Sequence, residues 1–253
     1  MLTDLQKASF GKRIIAAIFD GILLSVLAVG LAALLSLAFG TDNYVSNLSD
    51  LSSKYESDYG VEFQITAEDY NALTEAEKEN WHAADKAFGE DPKAQYSYNM
   101  LINLTILIVT FSILPAVLVI EFAVPLIFGN GQTLGKKIFG IAIMNTEGVK
   151  VNNIQLFARA VLGKFAIEIM IPLSIIFMIC FNMIGISGII ILFAILVLEI
   201  ICLCVTRTNS PIHDLLANTV AVDMASQRIF ESREELIEYT KARHAEAAAK
   251  ATY

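Results

Sequence analysis

Residues 128–165 have the sequence FGNGQTLGKKIFGIAIMNTEGVKVNNIQLFARAVLGKF. The stretch is basic and rich in glycine, and it lies between two long apolar runs. In a soluble enzyme this composition would suggest a surface loop. Between apolar runs it is typical of a short polar connector that joins two membrane helices, and its lysines indicate which side of the membrane it occupies.

The composition indicates a membrane protein. Hydrophobic residues make up 55% of the chain and charged residues 17%, and the mean hydropathy is +0.58. Crossing a hydrocarbon core of about 30 Å takes roughly 20 apolar residues in a helix. Four stretches reach this length, at 14–39, 101–128, 165–184 and 186–205. The sequence therefore predicts an all-α polytopic membrane protein with four transmembrane helices.

The positive charges near the helix ends predict the orientation, because cytoplasmic loops carry an excess of Lys and Arg. Arg13 precedes the first span, and Arg207 follows the fourth. The remaining members of these clusters are Lys7 and Lys12 before the first span, and Lys136, Lys137, Lys150, Arg159 and Lys164 between the second and third spans. Four spans place all of them on one side, so both termini are expected in the cytoplasm.

One segment supplies the acidity of the chain. Residues 40–100 contain 13 acidic and 4 basic residues, a net charge of −9, whereas the chain as a whole carries −8. The topology places this segment outside the cytoplasm. The predicted segments are 1–39 (N-terminus and first span), 40–100 (acidic insertion), 101–128 (second span), 129–164 (basic cytoplasmic connector), 165–205 (third and fourth spans with a tight turn at 185–188) and 206–253 (cytoplasmic C-terminal helices).

The acidic insertion has the sequence pattern of a small helical hairpin. Thr66 and Thr74 are each followed three residues later by an acidic residue, the spacing with which a side-chain oxygen caps a helix N-terminus. Trp81, Ala84 and Phe88 then recur at helical spacing and would form one apolar stripe. We therefore expect a small extracytoplasmic helical insertion.

The connector is expected to contain a short β-hairpin and no cofactor. Residues 138–144 are apolar and β-branched, 145–148 have turn chemistry, and 149–151 could return as a second strand. A phosphate-binding loop fails on spacing, because GxxxxGK[ST] would need glycine at Asn130 and Ser or Thr at Lys137. We expect no metal centre and no nucleic-acid partner either.

Every predicted span contains one carboxylate: Asp20, Glu121, Glu168 and Glu199. All four lie within roughly 5–11 Å of the inner boundary at 1.5 Å per residue. A charge at the bilayer centre costs about 2.5–3.5 kcal/mol or more, so each needs a partner or a wet cavity. The spacing predicts two ion pairs, Arg13 with Asp20 on one helix face and Lys164 with Glu168 at i,i+4.

These carboxylates have two interpretations. In the structural one they neutralise the Arg and Lys side chains at the inner rim and hold the helices together. In the functional one they form a protonatable vestibule that attracts cations and opens to the cytoplasm. The sequence leaves both open.

Several of these features together resemble the RDD family of prokaryotic membrane proteins. They are Arg13 and Asp20 in helix 1, the GQTLGKKIFGIAI segment, Arg159 before helix 3, and HDLLANTVAV after helix 4. The matching motif positions are Gly131, Thr133, Gly135 and Lys136 in the connector, and His213 and Asp214 after the last span. The resemblance implies a prokaryotic plasma membrane protein. Some members of the family are linked to sodium/proton exchange, and others resemble partners of larger assemblies.

Two functions follow as hypotheses. The first is a non-catalytic membrane partner or assembly protein, which would contact the lipid bilayer and another membrane protein. The second is a small-cation/proton antiporter in which Asp20 with Glu121 or Glu199 carries Na⁺ or H⁺, gated by Arg13 and Asp214. Four helices are few for alternating access, so the antiporter would need a homodimer. An enzyme is not expected, since no nucleophile stands near His213.

Overall fold

The structure is a computed structural model that describes residues 5–251. Four helical stretches are long and apolar enough to cross a membrane, as the hydropathy pattern predicted. These spans are Phe10–Phe39, Pro92–Phe128, Asn153–Cys180 and Gly185–Val205, hereafter spans 1 to 4. The chain is therefore an integral membrane protein.

The helices and strands follow in chain order. Helices α1 (Phe10–Phe39), α2 (Thr41–Tyr59), α3 (Ala67–Ala72) and α4 (Glu75–Glu90) come first, then α5 (Pro92–Val117), a π-helical segment (Leu118–Ala123) and α6 (Val124–Phe128). Helix α7 (Leu134–Ile138), strand β1 (Ile141–Asn145), α8 (Asn153–Phe157), a second π-helical segment (Ala158–Met170) and α9 (Ile171–Cys180) follow. The described chain ends with α10 (Gly185–Val205), α11 (Ile212–Leu216), β2 (Thr219–Asp223) and α12 (Arg233–Ala251).

The ends of the spans differ from the predicted ones. Spans 2 and 3 begin at Pro92 and Asn153, earlier than the predicted 101 and 165, because polar residues cap them. Asp91 accepts hydrogen bonds from the backbone N–H groups of the first turn of span 2, and Asn152 forms a capping box at the start of span 3. The predicted turn at 185–188 is wrong: the turn occupies 181–184, and α10 begins at Gly185.

The two π-helical segments interrupt spans 2 and 3 near the charged residues of those spans. The first segment carries Glu121, and the second carries Arg159, Lys164 and Glu168. A π-helix has a wider turn than an α-helix and is found frequently at functional sites. The sequence analysis predicted no π-helix: it assigned 118–123 to the second span and 158–164 to the connector.

The only strand pair in residues 5–251 joins the connector to the segment after span 4. Strand β1 pairs antiparallel with β2, with Ile143 opposite Ala221. The predicted hairpin within the connector forms only in part: 149–151 returns antiparallel with a single bridge between Met144 and Lys150 and does not become a second strand. Strand β2 has the sequence TVAVD and buries its first four residues, and its five residues pair with all five residues of β1.

The described chain divides into two compact units, one of Val29–Ser112 and one of the remainder. The first unit contains the acidic insertion, which consists of three helices (α2–α4) rather than a hairpin of two. Thr66 and Thr74 cap α3 and α4 as predicted. The expected apolar stripe also forms, with Ala84 fully buried and the rings of Trp81 and Phe88 packed against Phe63.

Candidate functional site: a buried network of charged residues

The GxTxGK motif of the connector binds the Asp20 carboxylate of span 1. The Thr133 hydroxyl and the Gly135 backbone N–H (2.8 Å) both donate hydrogen bonds to the Asp20 carboxylate, which is 1% exposed. Lys136 Nζ lies 3.5 Å from the same carboxylate. Thr133 also caps α7 by accepting a hydrogen bond from the Lys136 backbone N–H. One short motif therefore supplies a hydroxyl, an amide and a cation to a single buried charge.

The glycines of this motif permit close approach. A Cβ atom on Gly135 would lie 2.5 Å from the backbone carbonyl oxygen of Ala16 and 2.9 Å from Asp20 Oδ1. Gly131 has φ +64°, and a Cβ there would lie 2.9 Å from the Ile143 side chain. Residues with a side chain would push the connector away from span 1 and from β1.

Glu121 is the centre of the network. Its side chain is fully buried, and three cations contact it: Arg159 Nη1 at 3.1 Å, Lys136 Nζ at 3.8 Å, and Lys164. A buried carboxylate is stable only when it is paired. Here three positive charges surround one negative charge, so the surplus must be balanced by neighbouring carboxylates.

Arg159 and Asp214 provide part of that balance. Arg159 Nε donates to Asp214 Oδ1 at 2.6 Å, and both side chains are about 1% exposed. Thr219, at the start of β2, also donates to Asp214 at 2.8 Å. Burial alone would raise the pKa of Asp214, but Arg159 and, to a lesser degree, His213 hold that pKa well below its ordinary value.

His213 links Asp214 to the last carboxylate of the network. Its Nδ1 lies 2.7 and 2.8 Å from the two Glu168 oxygens, and its backbone N–H donates to Glu168 at 2.9 Å. Its Nε2 faces the Arg159 guanidinium at 2.9 Å and must accept there. Burial, reinforced by Arg159, lowers the pKa of His213. These contacts fit a neutral imidazole that donates from Nδ1.

Lys136 carries the most strongly desolvated ammonium group of the connector. Burial lowers its pKa to about 8, although Glu121 and Asp20 act in the opposite direction. Because Lys136 reaches both carboxylates, it connects the Asp20 cluster to the Glu121 cluster. Segments from spans 1, 2 and 3, the connector and α11 thus meet in one network.

The two ion pairs predicted from helical spacing are both wrong. Arg13 Nη1 donates to the Asn209 backbone carbonyl at 2.6 Å instead of pairing with Asp20. Lys164 pairs with Glu121 instead of Glu168. In both cases the predicted partner lies on the same helix, while another segment of the chain brings a better placed group.

Among the described residues, Glu199 is the only one of the four predicted carboxylates that forms no hydrogen bond or salt bridge with another side chain. Its Oε2 is buried and has no hydrogen-bond partner. It lines a cavity of about 360 Å³, which we call the inner cavity. The cavity is lined by Phe10, Arg13, Ile14, Ala16, Ala17, Lys136, Ile141, Arg159, Lys164, Glu168, Glu199, Leu203, Pro211, His213, Asp214 and Ala221.

Every motif residue that the sequence analysis selected therefore lies in the network or beside it. The sequence analysis missed Asn209 and Thr219, which bind Arg13 and Asp214. Thr219 stands in an apolar segment, and Asn209 acts through its backbone carbonyl, so neither has a distinctive sequence signal. Among residues 5–251 no group of three or more His, Cys, Asp or Glu residues is placed to hold a metal ion.

Comparison with curated proteins finds no match, and neither does comparison with solved structures. A family model does match, that of the RDD family, over residues 7–218. The match covers most of the chain and includes all the motif positions of the network. The protein belongs to the RDD family.

Proposed function

We propose that this protein is a non-catalytic partner or assembly protein of the prokaryotic plasma membrane, with both termini in the cytoplasm. The observation that carries the proposal is the compensation of the buried network. Glu121 has three cations, Asp214 has Arg159, and Asp20 has Lys136 and two hydrogen-bond donors. A network in which these buried charges are compensated favours a structural role over ion transport.

An ion exchanger needs a carboxylate that alternately binds and releases a cation. Withdrawing a cation from a buried pair leaves an uncompensated charge, at a cost of about 3–5 kcal/mol. Releasing a cation from Glu121 would incur this cost, because its three cations are protein side chains. Asp20 is enclosed by Thr133 and Gly135. The same arrangement suits a protein whose charges hold distant segments of the chain together.

His213 also supports a non-catalytic role. A general base needs a free ring nitrogen within hydrogen-bond reach of a substrate. Both ring nitrogens of His213 are occupied, Nδ1 by Glu168 and Nε2 by Arg159. The imidazole is positioned to join two charged side chains.

The acidic insertion supplies a surface for a partner. It carries a net charge of −9 between residues 40 and 100, and its compact unit is separate from the one that holds the network. Complementary charge guides association and suppresses wrong partners. We therefore assign the docking role to the insertion and expect a partner with a basic surface.

Site-specific photocrosslinking in cells tests this role. A photoreactive residue replaces exposed Tyr59 or Tyr98 in the insertion unit, and exposed Glu238 in α12 serves as the control position. We expect one discrete protein adduct from the insertion positions and its loss when the acidic residues of α2 and α4 become amides. The absence of an adduct at either tyrosine, or an adduct that persists after neutralisation, would contradict the proposal.

One observation favours the antiporter as a second candidate. The Glu199 Oε2 atom lacks a partner and the Glu199 residue lines the inner cavity, so this carboxylate is a candidate to exchange a cation or a proton. Proteoliposomes with a pH-sensitive dye inside distinguish the two functions. A sodium-driven pH change that disappears in Glu199→Gln would establish the antiporter, and a flat response of the wild type to sodium, lithium and potassium would exclude it.

A further inference from the structure

Two oppositely charged side chains in the inner cavity lack an ionic partner among residues 5–251. Arg13 lies in the first turns of span 1, and Glu199 lies near the end of span 4. All other carboxylates and cations that line this cavity belong to the network. The inner cavity therefore contains one guanidinium and one carboxylate that form no salt bridge with the described residues.

The Arg13 guanidinium has donors to spare. One of its five N–H groups is accounted for by the Asn209 carbonyl, at 2.6 Å from Nη1. No carboxylate of the described residues lies within ion-pair distance of it. A planar guanidinium binds phosphate or carboxylate oxygens through paired hydrogen bonds. Arg13 is thus suited to an anionic group inside the cavity.

Glu199 offers the complementary charge. Its Oε2 is a buried acceptor without a donor, and buried polar atoms of this kind normally have a partner. Glu168, the other glutamate of the cavity wall, already receives hydrogen bonds from the His213 ring and backbone. A cationic group with N–H donors would satisfy Glu199.

The rest of the cavity wall is largely apolar. Phe10, Ile14 and Leu203 contribute hydrocarbon surface, and Phe10 and Ile14 are also exposed on span 1, where lipid would contact them. The cavity has a volume of about 360 Å³, many times the space that one water molecule needs. That space is too large for one dehydrated ion and suits a small amphipathic group.

We propose that the inner cavity binds a zwitterion with a phosphate and a primary ammonium, as in the headgroup of an ethanolamine phospholipid. The phosphate would pair with Arg13 and the ammonium with Glu199, while the acyl chains would continue along the exposed apolar side chains of span 1. A simple cation would leave Arg13 unpaired, and a simple anion would leave Glu199 unpaired. The inference does not depend on the partner role proposed above.

The test uses the full-length protein purified in detergent and isothermal titration calorimetry. The probes are short-chain lipids with ethanolamine, choline or glycerol headgroups, together with free phosphoethanolamine. We expect the ethanolamine lipid to bind about tenfold more tightly than the other two, since one charge-assisted hydrogen bond of about 1.4 kcal/mol corresponds to that factor. The choline headgroup has no N–H to donate to Glu199, and the glycerol headgroup has no cation.

Two variants and a control assign the contacts. Glu199→Gln should lower affinity for the ethanolamine lipid to that for the glycerol lipid, and it breaks no ion pair of the described fold. Arg13→Gln should weaken the binding of all three lipids. Glu238→Gln, an exposed change in α12, should alter nothing. If Arg13→Gln does not fold, the Glu199 variant still decides the matter.

Three outcomes of the calorimetry bear on the proposal. Equal affinity of the wild type for ethanolamine and choline lipids would overturn the proposal. A headgroup preference that survives in Glu199→Gln would also overturn it. Free phosphoethanolamine that binds as tightly as the short-chain lipid, with the same loss in Glu199→Gln, would support the headgroup chemistry and assign a soluble source.

Discussion

The charged residues of the acidic insertion and those of the buried network make opposite kinds of contact. In the insertion, Lys78 pairs with Glu75 three residues away, and the Glu75 side chain is 93% exposed. In the network, Lys136 pairs with Asp20, a residue 116 positions away whose side chain is 1% exposed. The first contact joins neighbouring residues and is exposed to solvent. The second joins residues that are distant in sequence and is buried.

The exposed pairs stabilise individual helices, whereas the buried pairs stabilise the tertiary structure. An exposed pair at i,i+3 or i,i+4 stabilises its own helix by about 0.3–0.5 kcal/mol, so each insertion helix depends little on any one charge. A buried pair between distant segments costs several kcal/mol when one member is removed. The family motif residues Asp20, Lys136, Arg159 and Asp214 belong to the second kind, and their pairs join segments that are distant in sequence.

The largest effect is expected for Arg159→Gln. The change removes the cation shared by Glu121 and Asp214 and should destabilise the protein by about 3–5 kcal/mol. Thermal unfolding in detergent and the yield of folded protein measure the loss. Lys86→Gln, which breaks an exposed pair with Glu90 in the insertion, is the matched control and should change little. Similar losses of stability in the two variants would contradict the proposed difference between the buried network and the acidic insertion.

A second test concerns close packing between the connector and span 1. Gly135→Ala places a methyl group 2.5 Å from the Ala16 carbonyl oxygen and should cost about 1–3 kcal/mol. Gly11→Ala, where the added methyl meets nothing within 4 Å, should be neutral or slightly stabilising, because alanine favours helix. Unfolding temperatures of the two variants decide the point, and equal stability would disprove the contact.

Acidification should weaken the network through His213. Because burial lowers its pKa from the ordinary 6.5, the unfolded chain binds more protons than the folded chain below that pH. Stability should therefore fall as pH drops below 6.5, by at most about 1.4 kcal/mol per pH unit for one proton. Asp214, whose pKa is also lowered, acts in the same direction only below its ordinary 3.8.

Unfolding temperatures between pH 7.5 and 5 check the pH dependence. The slope should flatten in His213→Asn and remain in His244→Asn, an exposed histidine of α12. An unchanged slope in His213→Asn would mean that another group titrates.

The smallest effect is expected in the insertion. Thr74→Ala removes the hydroxyl that accepts the Glu77 backbone N–H, which is one half of the capping box at the start of α4, and should cost about 1 kcal/mol. Hydrogen exchange should rise in α4 and stay unchanged in the connector. Increased exchange around Thr133, itself a helix cap in the network, would show that the two regions are coupled.

Hydropathy alone predicted the four spans, since a membrane helix must hide its backbone and present apolar side chains over its whole length. It could not predict their ends. Spans 2 and 3 extend through polar residues because Asp91 and Asn152 cap them, and such caps depend on backbone geometry. The strand that pairs with β1 could not be predicted either. Strand β2 follows span 4, and no local pattern identifies a partner strand 78 residues away (141 to 219).

For the site, the sequence analysis selected most of the charged residues that the structure brings together, but not their partners. The sequence analysis selected Arg13, Asp20, Lys164 and Glu168 as charged residues that need partners. Helical spacing then paired them within their own helices, whereas the fold supplies Lys136 to Asp20 and Glu121 to Lys164. Pairing across the network depends on the π-helical segments and on the approach allowed by Gly135, neither of which spacing reveals.

A double-mutant cycle on Asp20 and Lys136 tests most directly whether the motif charges compensate one another. Asp20→Asn and Lys136→Met each remove one member of the buried pair, and the unfolding free energies of both variants, the double variant and the wild type are measured in detergent. We expect the double variant to be more stable than the sum of the single losses allows, by about 0.5–3 kcal/mol. Strict additivity of the two losses would contradict a compensated network.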